Sequence, residues 1–204
     1  MTPIASVITA DIVNSSLLSP QRERALNQMI QSILSKHKFE FYRGDSFQAY
    51  IKDTTQSLRM ALQLRAAARS LSYLHDIRVS IGIGRVTHPV RYLRTTKNEV
   101  FVLSGRGFDK LTEEMRLNII SYKEIANRTL RIIAYYADHI FARLTSKQAA
   151  VLGELLKGQT QVAIAKKFKK AQATINKHAR AASWPEIERL LNEYEETITQ
   201  FALK

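Results

Sequence analysis

Two carboxylates carry the clearest chemical potential in the N-terminal half. Asp11 closes the apolar run Ile4 to Ala10, where a charge without partners is expensive, so it needs a cation or hydrogen-bond donors. Asp45 follows Gly44 in a Gly-Asp pair that suits the positive φ of a tight turn. If the two segments are neighbouring strands, their side chains offer the paired oxygen ligands that Mg²⁺ accepts and that metal-assisted phosphoryl chemistry uses. The alternative is an Asp11 bonded to backbone donors and an Asp45 that only shapes a turn. His178, on the inner side of its helix, reads as a packing or hydrogen-bonding residue.

The second constellation is basic. The chain has 31 Lys and Arg against 18 Asp and Glu, a formal charge of +13, and such a field attracts polyanions. Its placement is informative: Lys157, Lys166, Lys167, Lys169, Lys170, Lys177 and Arg180 occur with no acid among them, and Glu186, Glu188, Glu193, Glu195 and Glu196 then follow. A basic face succeeded by an acidic one fits a nucleic-acid side and a solvent side. The absence of cysteine excludes disulfides, thiolate metal sites and a Cys nucleophile. The start MTPIASVITADIV lacks a basic leader region, and no apolar stretch approaches the roughly 20 residues a membrane-spanning helix needs. A cytoplasmic chain without membrane insertion is expected.

These residues need elements to hold them. Ile4 to Ala10 reads as a strand, followed by a helix with Leu26, Met29, Ile30 and Ile33 on one face. Phe39 to Tyr42 and Phe47 to Ile51 form a hairpin around Gly44-Asp45, and a long helix is expected from about Thr55 to Leu74. Arg78 to Gly84 is a strand with one face nearly bare, so that its glycines leave room for something to approach. A segment rich in Arg85, Arg91, Arg94 and Lys97 is hard to read. A short strand near Val100 to Leu103, a helix from about Gly105 to Met115, a strand at Leu117 to Ser121 and an amphipathic helix at Glu124 to Arg143 complete the half. The order is the split, ferredoxin-like βαββαβ arrangement. An α+β chain is predicted, with an α/β domain over 1–122, a connecting helix over 123–144 and an all-α domain over 145–204.

In that last part Thr145-Ser-Lys-Gln148 fits a capping box, and Gly158 suits a left-handed helix end. A second helix opens at Thr160 and contains Val162, Ala165 and Phe168, and a third opens at Gln172 after Lys169-Lys170-Ala171. On the third, Ile175, Ala179 and Ala182 point to the core. Ala173, Thr174, Lys177 and Arg180 point outward, with Asn176 on the flank. Two short helices so joined match the geometry that lays a recognition helix in the DNA major groove. Lys169, Lys170, Gln172, Ala173, Thr174, Asn176, Lys177 and Arg180 are the candidate DNA contacts. Ser183-Trp-Pro-Glu186 reads as a second capping box, opening a bracing helix with Trp184, Ile187, Leu190, Leu191, Tyr194 and Ile198 inward.

This C-terminal stretch resembles the LuxR-type and sigma-factor region-four helix-turn-helix. The match is carried by Leu144-Thr145, Gln148, Val151-Leu152, Gly158, Thr160, Ile164-Ala165, Thr174-Ile175 and His178, and it departs at Ala163 and Ala171. The N-terminal set Asp11-Ile-Val-Asn-Ser-Ser16, Arg43-Gly-Asp45 and Arg78 to Gly84 resembles the class III nucleotidyl cyclase domain over Met1 to Tyr122. The two together are similar to the SatD family of bacterial proteins. The cyclase resemblance implies Asp11 and Asp45 as Mg²⁺ or Mn²⁺ ligands with the Ile12 carbonyl as a third, a nucleotide ligand, and pairing of the domain as a homodimer. Phe41 stands where that family has a base-selecting Lys, and Asp109 and Glu113 stand where it has a transition-state Asn and Arg. A carboxylate there opposes a triphosphate. Two readings result: a regulator of transcription bound to double-stranded DNA, with a degenerate cyclase-like domain for dimerisation or nucleotide sensing, and a metal-dependent enzyme on nucleotides with an accessory helix-turn-helix.

Overall fold

Strand β1, Ile4–Val13, is buried along most of its length because both of its faces are covered by other elements. In the computed structural model, which describes residues 2–42, 44–93 and 98–202, it pairs antiparallel with β3 (Ser46–Ile51) on one side and with β4 (Asp76–Arg85) on the other. Strand β2 (Lys38–Tyr42) closes the hairpin with β3, whose turn contains Gly44 at φ 80°. Strand β5 (Leu117–Ser121) adds to β4 in parallel. The result is a five-stranded mixed sheet in the order β2-β3-β1-β4-β5. Arg43, Arg94 and Lys97 lie outside the described residues.

Eight α-helices accompany the sheet among the described residues. Ile8, Ala10 and Ile12 of β1 share one core with α1 (Pro20–Leu34), α2 (Ser57–Leu71) and α4 (Glu124–Ala142). That core continues without a break into α5 (Ser146–Leu156) and α8 (Trp184–Ala202) through Ala149, Leu152, Leu156, Ile187, Leu191, Tyr194 and Ile198. Gln63 of α2 donates to the Leu156 carbonyl at 2.8 Å, and the Tyr194 hydroxyl donates to the Thr54 carbonyl at 2.9 Å. None of the described helices is long and apolar enough to cross a membrane.

The expected strand at Val100–Leu103 is instead part of a helix, α3, Glu99–Phe108, which also starts and stops earlier than the helix expected from Gly105. Its buried residues, Val100, Phe101, Ser104 and Gly107, repeat at helical spacing, and packing outweighs the strand preference of a Val-Phe-Val run. What approaches the glycines of β4 is this helix. A Cβ at Gly82 would stand 2.4 Å from the Ser104 backbone nitrogen, and one at Gly84 would stand 3.0 Å from the Val100 backbone. Thr9 and Ser104 join hydroxyls at 2.6 Å across the same face. Two smaller differences occur in the C-terminal part. Of the apolar residues named for α6 (Gln161–Phe168), Val162 is 60% exposed, and Ile164 is buried beside Ala165. Ser183 has φ 54°, a left-handed backbone and not the extended one a capping residue uses.

The element ends meet at a buried charge cluster. Asp76, at the start of β4 and fully buried, accepts from Arg65 Nε at 3.0 Å and Nη2 at 2.8 Å, from Arg69 at 3.4 Å and from Arg116 at 3.3 Å. Arg65 Nη1 also stands 2.6 Å from Asp138 of α4, and Arg69 donates to the carbonyls of Ala142 and Leu144. Burial alone would raise the Asp76 carboxyl, but the charge and hydrogen bonds of Arg65, with Arg69 and the Ile77 amide behind them, hold it below the usual carboxylate value. A depressed folded value contributes stability that is complete above the unfolded value near 3.8 and is lost as the pH falls through the folded one. Asp76→Asn should cost about 3 to 5 kcal/mol near neutral pH, since it leaves buried arginines uncompensated. Urea unfolding at neutral and acid pH checks this: the gap to the parent should narrow below about pH 4.

Candidate functional site

The C-terminal helices set out a basic surface whose local geometry follows from the sequence. Thr145 and Gln148 form a reciprocal capping box at the start of α5 (Gln148 N to Thr145 Oγ1 3.3 Å, Thr145 N to Gln148 Oε1 2.9 Å). Gly158, at φ 81°, lets the chain leave α5. The Thr160 hydroxyl accepts from the Ala163 amide at 3.2 Å and opens α6. Helix α6 ends on Lys169 at φ 51°, with the Lys170 amide donating to the Ala165 carbonyl at 3.0 Å. Helix α7 (Gln172–Ala181) then starts after Ala171, which offers no side-chain cap. Ile175 and Ala179 of α7 pack with Val151, Leu155, Ile164 and Ala165 in a small second core.

That packing fixes which way α7 faces. Gln172, Ala173, Asn176, Lys177 and Arg180 are exposed, and Lys169 and Lys170 are exposed in the turn before them. Thr174 and His178 are half-buried, so Asn176 belongs to the outer row and Thr174 to its flank, the reverse of the sequence expectation. Of the basic run, Lys157 and Lys167 are both engaged by one carboxylate, Glu154, at 2.9 and 2.6 Å. Burial alone would raise that carboxyl; the hydrogen bonds from Lys167 and Lys157 hold it below its ordinary value. Lys166, Lys169, Lys170, Lys177 and Arg180 make up the remaining exposed positive row.

At the opposite end of the chain the two carboxylates come together in one open pocket of about 490 Å³, lined by Asp11, Ile12, Val13, Asn14, Ser15, Ser16, Asp45, Arg78, Glu113 and Arg116. Register does this: Asp11 stands opposite Ser46 of β3 and opposite Arg78 of β4, and the Ile12 amide donates to the Asp45 carbonyl at 3.1 Å. Arg78 grips both oxygens of Asp11 with Nε and Nη2. The Asp45 carboxylate accepts from Ser15 at 2.8 Å and from Ser46 at 3.4 Å. The Arg78 guanidinium is held protonated beyond its ordinary range, chiefly by its hydrogen bond to Asp11. Among the described residues no group of three or more His, Cys, Asp or Glu gathers to hold a metal ion, and Arg78 already bonds both oxygens of Asp11 that a dication would share.

The residues singled out from the sequence, Asp11, Asp45 and Ile12, thus line one pocket, but Arg116 beside them, which also reaches Asp76, was missed. Glu113, expected on a helix, lines the pocket from the loop after α3. The Asp11–Arg78 pair follows once β1 is paired with β4, because it is a direct cross-strand neighbour pair. Arg116 gives no such signal. No family model matches the chain, and no curated protein sequence matches it.

If Arg78 holds the place a cation would take, Arg78→Ala should bind Mn²⁺ at least about tenfold more tightly than the parent, the effect of removing one positive charge at contact distance in a partly solvated site. Calorimetric titration of both proteins checks this, and equal affinities would remove Arg78 from the competition.

Proposed function

We propose that the chain is a DNA-binding regulator in which α6 and α7 form a helix-turn-helix and α7 lies in the major groove. The observation that carries this reading is the outer row of α7: Gln172, Asn176, Lys177 and Arg180 project from a helix whose other side is locked by Ile175 and Ala179, with Lys169 and Lys170 at the turn. Amide and guanidinium side chains read base edges, while lysines at the helix entrance neutralise phosphates. The resemblance to LuxR-type and sigma region-four helices supports the same assignment. So does the net charge of +13.

The N-terminal half is proposed as a ferredoxin-like, cyclase-type domain of the SatD kind. The antiparallel order β2-β3-β1-β4 and the two aspartates at one pocket support that reading. In it the pocket senses a nucleotide, with Arg78 and Arg116 as the groups able to meet phosphate. A second reading, a metal-dependent enzyme on nucleotides, draws on the shared position of Asp11 and Asp45. Glu113 inside the same pocket weighs against it, since a carboxylate opposes the charge that phosphoryl transfer must neutralise. Mg²⁺ or Mn²⁺ would be held by Asp11 and Asp45 once Arg78 is displaced.

Binding to duplex DNA should weaken steeply with salt, because each phosphate neutralised releases counterions. Lys169→Ala with Lys170→Ala should lower affinity for all sequences alike and flatten the salt slope. Lys177→Ala or Arg180→Ala should also relax sequence preference, at about 1 to 3 kcal/mol for each base edge that is no longer read. Selection from random duplexes followed by salt titrations measures both effects. Full binding by the fourfold variant would exclude α7 as the reader.

With ATP or GTP and Mn²⁺ the purified protein should make no cyclic nucleotide. Formation that disappears in Asp11→Ala would instead establish the enzyme reading.

A further inference from the structure

Ten large apolar side chains are exposed among the described residues, and four of them stand on α4: Ile125 at 74%, Ile132 at 60%, Tyr135 at 54% and Tyr136 at 48%. Ile132 lies seven residues beyond Ile125, and the two tyrosines lie three and four beyond Ile132, which puts all four on one side of the helix. Arg128 and His139 are exposed between and beyond them. Single exposed apolar residues need no explanation, but a continuous stripe of this kind marks a surface that something covers. Isoleucine, tyrosine and arginine set side by side are also the residue types that anchor protein interfaces.

Charge identifies the cover. The exposed part of α4 carries Arg128, Arg131 and, at its end, Arg143 against Glu124 alone. Helix α8, which packs beside α4 and shares its core, has the opposite balance: Glu188, Glu193 and Glu196 are exposed against Arg189. At the end of the stripe a cleft of about 290 Å³, lined by Tyr136, His139, Arg143 and Ser183 among others, offers Arg143 to an incoming acid. One chain therefore presents a basic, aromatic helix and an acidic helix next to each other. We propose that a second copy of the chain covers this layer about a two-fold axis, with α4 of each protomer lying over α8 of the other. The axis makes each contact twice from one complementary pair. Pairing α4 with α4 would set arginine against arginine, a like-charge contact that selects against that arrangement.

The inference does not rest on the DNA reading, and its test uses the full chain without DNA. Sedimentation equilibrium at micromolar concentration should give a dimer whose dissociation constant rises with salt. Ile132→Glu should raise that constant at least about tenfold, the effect of removing one buried anchor. Reversal on α4, Arg128→Glu with Arg131→Glu, should weaken the dimer, as should reversal on α8, Glu193→Lys with Glu196→Lys. The two reversals combined should recover most of the affinity, with the far-ultraviolet circular dichroism of all these surface variants matching the parent's. A monomer throughout, a dimer indifferent to Ile132→Glu, or reversals that weaken without rescue would each overturn the proposal. A dimer that the α4 reversal alone leaves unchanged, as an α4-on-α4 contact would be when arginine against arginine becomes glutamate against glutamate, would overturn it as well.

Discussion

The architecture turns on one buried carboxylate. Asp76 has no exposure, and a lone charge there would be untenable; its partners come from separate parts of the chain, Arg65 and Arg69 on α2 and Arg116 just ahead of β5. Two of the arginines are tied onward, Arg65 to Asp138 of α4 and Arg69 to the carbonyls that close α4. Such a cluster adds less net stability than its contacts imply, because its members have been stripped of water. Its effect falls on arrangement. A shift of α2 along the sheet by one turn would leave at least one guanidinium buried without a counter-charge, so the positions of α2, β4, α4 and the entry to α5 are settled together.

The same logic explains the pocket beside it. Arg116 bridges from the cluster to the pocket wall, and Arg78 neutralises Asp11. The chain has thus met the cost of a carboxylate at a strand end with its own guanidinium. A ligand entering there competes with internal ion pairs instead of filling a vacant shell, which favours a strongly anionic or cationic species over a neutral one.

How legible this was in the sequence follows from the range of each interaction. Local devices were readable: the Thr145–Gln148 box, the left-handed Gly158 and the opening of α7 at Gln172 depend on residues within a turn of one another. The apolar run of β1 and the period-two pattern of β4 were equally plain. Val100 to Leu103 misled because a short apolar run has no period long enough to separate strand from helix, and what decides it is the glycine face of β4, about twenty residues away in sequence. Glu154 carries no mark in the sequence, yet it is buried and takes two lysines out of the basic run. Nothing in composition or spacing announces Asp76, because its meaning arises only when α2 folds back over β4 to bring Arg65 and Arg69 to it and Arg116 arrives from 40 residues further on.

The continuity of the core from the sheet into α5 and α8 has a mechanical consequence. Leu144 follows one helix and Thr145 caps the next with no slack between them, and the carbonyl of Leu144 is itself held by Arg69. Among the described residues, α4 and α5 are therefore joined by a packed and hydrogen-bonded turn instead of a loose segment. The direction in which α7 points is cast with the rest of the body, like a tooth on a key.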